Sequence, residues 1–199
     1  MSLELTFALL TFAFASSITP GPNNMMLMAS GANFGLARSV PHLAGIAVGF
    51  AVMITLVGFG LAQLFELFPV LHTVLKIAAA LYMTYLAWKI ATAAPKIDAP
   101  EEAGRPFTFL QAALFQWVNP KAWAMALTVV SVYMPETLGI LAPVIVALLF
   151  QIPGVPCMVA WAVLGVAMRR FLTSAGRLRL FNGTMGALLV LSVWPILLA

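Results

Sequence analysis

Acidic side chains are nearly missing from this sequence: one aspartate and five glutamates in 199 residues. None of them lies deep in an apolar run, so no buried carboxylate is on hand for acid–base work or proton carriage. Cysteine occurs once, as Cys157, which excludes an intramolecular disulfide and a paired-thiol relay. No His/Cys/carboxylate cluster resembles a metal site, and no nucleophile stands beside a base. The chain reads as neither an enzyme nor a metalloprotein, with no catalytic residue, no metal and no cofactor. Its start, Met1-Ser2-Leu3-Glu4, lacks the basic region of a cleavable signal peptide. The first apolar stretch is therefore expected to stay in the mature protein.

Hydrophobic residues make up 63% of the chain and charged ones 8%, with a mean hydropathy of +1.04. A soluble domain carries about 25% charged residues. This chain cannot cover itself with a polar surface, and its class is an all-α polytopic membrane protein. Six apolar stretches are separable: Leu3 to Ala29, Leu43 to Leu64, Val70 to Ile90, Phe109 to Tyr133, Leu138 to Ala167 and Leu180 to Leu198. Each approaches or exceeds the ~20 residues that a bilayer requires.

The net charge of +4 would hint at nucleic acid in a soluble protein, but the placement of the charges explains it without that partner. Arg38 follows the first stretch. Lys89, Lys96 and Arg105 surround the third loop, and Arg169, Arg170, Arg177 and Arg179 fill the fifth. Loops two and four carry Glu66 and Glu136 and no basic residue. The positive-inside rule makes loops one, three and five cytoplasmic and both termini periplasmic. Residues 93–108, with Pro95, Asp98, Pro100, Glu101, Glu102 and Pro106, form a solvated linker between two three-helix halves, 1–92 and 109–199. Gly31-xxx-Gly35 and Gly45-xxx-Gly49 are spaced to let helices approach closely within the bundle.

Two spans are interrupted. In the first, Thr19-Pro20-Gly21-Pro22-Asn23-Asn24 puts two prolines around a glycine, removing two backbone donors and freeing the chain from helical geometry. In the fourth, Gln116-Trp117-Val118-Asn119-Pro120-Lys121 is interrupted by a single proline, flanked by Asn119 and a lysine. Lys121 is about 18 Å along its span from Phe109 at ~1.5 Å per residue, near the bilayer midplane. The two broken spans open halves of opposite direction, the pattern of an inverted repeat with a site at the midplane. Lys76 and Asn182, each twelve residues before a tryptophan (Trp88 and Trp194), are a weaker echo of the same pairing.

These residues resemble the LysE/RhtB family of amino-acid exporters. Thr19-Pro20-Gly21-Pro22-Asn23 and Asn119-Pro120-Lys121 are similar to its two signature motifs, and the Lys76-to-Lys89 run and the linker match as well. Thr19 to Asn24 and Ala87-Trp88-Lys89-Ile90-Ala91-Thr92 look most like the cysteine/O-acetylserine exporters. The resemblance implies export of a small amino acid or derivative across the bacterial inner membrane, driven by the proton motive force, with protons as a partner. Many members carry aspartate where this chain has Asn23, so proton coupling through an acid at the break is in question here.

An amino-acid substrate brings a carboxylate and an ammonium group. A broken helix offers amides to the first and carbonyls to the second. Pro20, Gly21, Pro22, Asn23, Asn24, Gln116, Asn119, Pro120 and Lys121 are the candidate pathway residues, with Lys76 and Asn182 secondary. Lys121 is either the countercharge to the substrate carboxylate or a clamp on carbonyls freed around Pro120. Pro153 and Pro156 either bend the fifth helix or shape its packing. A passive facilitator and a non-transporting assembly protein are the alternatives to an exporter, and a homo-oligomer is compatible with each.

Overall fold

The computed structural model describes residues 1–61, 67, 69–92 and 105–191, with the backbone alone for Pro69, Leu71, His72, Leu75, Lys76 and Ala79. Within these residues the secondary structure is helical, without strands. Helix α1 (Leu3–Ile18) ends at Thr19, whose backbone is extended, and α2 (Pro22–Phe34) starts on a proline at its first position. Proline suits that position because its missing N–H would be unpaired there anyway. The axes of α1 and α2 meet at 56°, so the two helices form one bent apolar pair.

A single residue, Gly35 at φ 81°, ends α2 and begins α3 (Leu36–Leu56). Gly35 is thus a turn residue rather than part of a helix-packing pair, because only glycine takes this left-handed conformation without strain. Helix α3 begins seven residues before the apolar stretch assigned to it and carries Arg38 in its first turn. Hydropathy marks where a span enters an apolar medium, whereas the helix starts where Gly35 lets it. A π-helical turn (Val57–Leu61) closes α3.

Helix α4 runs Pro69–Ala91. Helix α5 (Phe109–Phe115) opens on a capping box, with Thr108 and Gln111 each bonding the other's backbone N–H. A 3₁₀ turn (Gln116–Val118) and extended Asn119 separate α5 from α6 (Pro120–Val132), which again starts on proline. Helix α7 (Ala142–Met168) follows a 3₁₀ segment (Glu136–Leu141) and runs unbroken through Pro153 and Pro156. The last described helix is α8 (Ala175–Leu191). Most of the linker, Glu66 and Trp194 lie outside the described residues.

Among the described residues two helices are long and apolar enough to cross a membrane, Leu36–Leu61 and Glu136–Met168, each with mean hydropathy 2.2, and the bent α1–α2 pair makes a third. Large apolar side chains such as Leu3, Phe7, Ile140 and Leu180 are more than two-thirds exposed. In water this surface would associate; against lipid tails it needs no cover.

Lipid gives helices no hydrophobic reason to associate, so close van der Waals contact must hold them. Helix α7 packs against α1, α2 and α3; α5 and α6 pack on α3; α4 packs on α8. At the α2–α7 crossing a methyl on Gly31 would strike the Ala162 carbonyl, and one on Gly165 would strike the Met28 carbonyl. At the α3–α5 crossing a methyl on Gly45 would hit the Phe109 carbonyl, and one on Gly49 would stand 2.6 Å from Ala113 Cα. The Gly45/Gly49 pair therefore does the packing work its spacing indicated.

Gly183 in α8 has nothing within 4 Å of such a methyl. Alanine improves helix propensity equally at Gly165 and Gly183, so the clash alone separates them. Gly165→Ala is expected to lower the melting temperature in detergent by roughly 5 °C, from an overpacking cost of about 1–3 kcal/mol. Gly183→Ala is expected to leave it unchanged or slightly raised, and size-exclusion melting curves check both.

Candidate functional site

A helix interrupted away from water leaves carbonyls that other groups must satisfy. At the first break, Asn24 donates both hydrogens of its side-chain amide, to the carbonyls of Ser17 (2.8 Å) and Thr19 (2.7 Å). The Trp161 indole from α7 reaches the Ile18 carbonyl at 3.2 Å, and the Thr19 hydroxyl returns to the Ser16 carbonyl at 2.8 Å. At the second break, the Trp123 indole donates to the Trp117 carbonyl at 2.8 Å. The Asn119 side chain caps α6 by accepting from the Lys121 N–H at 3.1 Å.

The two breaks also hold each other. The Lys121 ammonium, from the second, donates to the Thr19 carbonyl (2.8 Å), the Thr19 hydroxyl (2.9 Å) and the Pro20 carbonyl (3.3 Å) of the first. Lys121 thus clamps carbonyls freed beside Pro20, in the other half of the chain, and not those around Pro120. Gly21 is what lets it pass, since a methyl there would lie 2.7 Å from Lys121 Cδ. Beside this clasp, Asn23 donates to Gln116 Oε1 at 2.8 Å and Gln116 donates back to Asn23 Oδ1 at 3.2 Å. Gln116 spends its other amide hydrogen on the Ala112 carbonyl at 2.9 Å.

A cavity of about 50 Å³ opens against this node. Gly21, Asn23, Asn24, Asn119 and Lys121 form its polar wall together with Ser16, Ser17 and Gln151. Ile46, Phe50, Ala122, Met125, Phe150, Gly154 and Met158 form the rest. No side chain caps the N-terminus of α2, whose first-turn residues Asn23 and Asn24 line the polar wall with the helix's positive dipole end beside it. With the lysine, they make a chamber suited to a small solute carrying a carboxylate. One side of the cavity is closed by an aromatic cluster: Phe50 meets Phe150 edge-on at 5.1 Å, Phe12 meets Phe150 at 6.5 Å, and Phe12 stacks on Tyr133 at 5.4 Å.

The candidate residues thus divide. Gly21, Asn23, Asn24, Asn119 and Lys121 line the cavity, Pro20 and Gln116 bond to those that do, and Pro22 and Pro120 start the half-helices around it. Asn182 stands apart: it is fully buried and exchanges amide hydrogen bonds with Asn33 of α2 at 3.0 and 3.3 Å. Near that pair the Arg169 guanidinium donates to the carbonyls of Ala32 (2.7 Å) and Asn33 (2.9 Å), joining α7 to the end of α2. The Lys76 side chain lies outside the described residues. Gln151 was missed from the sequence, although an amide within an apolar helix of 27 residues was itself a signal.

Because Asn23 and Gln116 bond reciprocally, their substitutions should not add. Asn23→Ala and Gln116→Ala are each expected to destabilise the protein, and the double variant to cost about 1 kcal/mol less than their sum. Unfolding of the four proteins in detergent closes the cycle.

The family model described as LysE type translocator matches residues 14–193 of this chain. The cysteine/O-acetylserine efflux proteins of Escherichia coli (strain K12) and Shigella sonnei (strain Ss046) are each 32% identical to it over 181 residues, covering 89% of this chain and 90% of theirs. No solved structure matches it.

Proposed function

The chain belongs to the LysE type translocator family, and from that premise we propose that it is a secondary exporter of a small amino acid or derivative, driven by the proton motive force. As a member of a family of transport proteins, it is not an enzyme. The substrate class follows the relatives' names, cysteine and O-acetylserine, and the chamber's chemistry agrees with it. The observation that carries the reading is the cavity at the meeting point of two broken helices. Its positive groups, the α2 N-terminus and Lys121, attract the substrate carboxylate; hydroxyls and carbonyls at the end of α1 receive its ammonium.

The membrane is the bacterial inner membrane, and six spans cross it as two inverted three-helix repeats, 1–92 and 109–199, joined by linker 93–108. The packing supports this arrangement. Exchanging α1–α2 with α5–α6, α3 with α7, and α4 with α8 turns the α1–α7 contact into α5–α3 and the α2–α7 contact into α6–α3. The same exchange maps the α3–α7 and α4–α8 contacts onto themselves. Alternating access then moves one repeat against the other around the cavity. The aromatic cluster closes the periplasmic side, and the Arg169 and Asn33–Asn182 contacts close the cytoplasmic side. Both termini face the periplasm, as the basic loops require.

A second reading, a passive facilitator, is favoured by one observation: no carboxylate lines the cavity. Efflux of cysteine, O-acetylserine, serine, threonine, homoserine and lysine from proteoliposomes, with and without an imposed pH gradient, separates the two. Gradient-dependent movement is expected for at least one short polar amino acid. Lys121→Ala is expected to slow it by about tenfold or more, since charge-assisted hydrogen bonds between the breaks are lost. Movement indifferent to the gradient would establish the facilitator. No movement of any of the six by correctly folded protein would overturn both readings in favour of an assembly role.

A further inference from the structure

The polar groups of the two breaks are largely occupied with one another. An ammonium group has three hydrogens, and the three acceptors at Thr19 and Pro20 account for those of Lys121. Asn24 and Gln116 have likewise spent both hydrogens of their side-chain amides. These groups shape the electrostatic field of the cavity, but they have no donor left to read a substrate's side chain.

Gln151 differs. It lines the cavity from α7, and its Nε2 is buried with no hydrogen-bond partner among the described residues. A buried amide nitrogen without a partner is costly, and natural proteins seldom leave one without a use. Gly154 and Met158 follow Gln151 at helical spacings of three and seven, so the three share one face of α7, and all three line the cavity. Gly154 makes a notch in that face. A methyl added there would have Phe150 and Ser17 Oγ as its nearest neighbours, none closer than 3.6 Å, which is ordinary contact. The notch therefore has room for about one methyl in ordinary contact beside an unused donor, and Met158, with its flexible thioether, lies one turn further along the same face.

We propose that this face of α7 selects the substrate's side chain: Gln151 donates a hydrogen bond to an acceptor on it, and the notch at Gly154 sets its length. The favoured substrate is an α-amino acid with a short side chain that carries an oxygen acceptor, an ester carbonyl or a hydroxyl. This inference rests on the exporter reading and narrows it. A site built around a donor discriminates against an analogue lacking the acceptor, because the donor is then left buried and unpaired.

The test compares serine, O-acetylserine and alanine by proteoliposome efflux and by ligand-induced thermal stabilisation in detergent. It uses the native protein, Gln151→Met and Gly154→Ala. Gln151→Met keeps the side chain's length and removes the donor. It is expected to reduce the preference for serine and O-acetylserine over alanine by about tenfold or more. Gly154→Ala fits without displacing its neighbours and is expected to fold like the native protein. It should reduce O-acetylserine movement severalfold relative to serine and alanine. Equal effects on all three substrates in both variants, or no effect, would overturn the proposal and leave the exporter reading intact. A native protein that neither binds nor moves any of the three would overturn both.

Discussion

A peptide group freed from a helix inside a membrane has no water to turn to, and the centre of this protein is arranged around that constraint. Pro20 and Pro22 in the first half and Pro120 in the second interrupt or flank the helical ladder within apolar runs. The carbonyls exposed there are met by an asparagine, two indoles, a hydroxyl and one lysine. Most of these donors come from the neighbouring turn or from α7. The lysine comes from the opposite half. Satisfying one break with a side chain of the other turns two local defects into a single polar node, and the node fixes where a solute can be held.

The rest of the bundle is held differently. Its close crossings depend on glycines that let one backbone lie against another, at Gly31 and Gly165 between α2 and α7 and at Gly45 and Gly49 between α3 and α5. Such contacts are weak per atom and tolerate sliding poorly. Polar contacts between membrane helices average only about 0.6 kcal/mol each, because alternative partners exist in the unfolded state. The Lys121 clasp, the Asn23–Gln116 pair and the Arg169 contacts can therefore be exchanged for others without a prohibitive cost. Contacts of that modest strength suit the proposed alternation of one site between the two sides of a membrane.

The absence of a carboxylate from the cavity gives the site its character. Positive groups are present without a matching acid among the lining residues, a balance that the carboxylate of the proposed amino-acid substrate would complete. Any coupling to protons then acts through groups outside the cavity wall or through the substrate.

Much of this was legible in the sequence. The poverty of charge forced the helical membrane class, and prolines beside glycine or asparagine marked both breaks. Each of these follows from local chemistry, which a linear reading can see. The partners could not be read that way. Lys121 was expected either on a substrate or on its own break, yet it sits on carbonyls about a hundred residues away in sequence. Gly35 had the spacing of a packing residue and became a turn because its φ is positive. Gln151 went unmarked as one polar residue in an apolar helix, and folding sets it beside the cavity with its amide nitrogen unpaired among the described residues. Composition and periodicity determine which segments enter the membrane and where they break. Only tertiary packing decides which distant group satisfies each freed carbonyl, and so which donor is left over for a ligand.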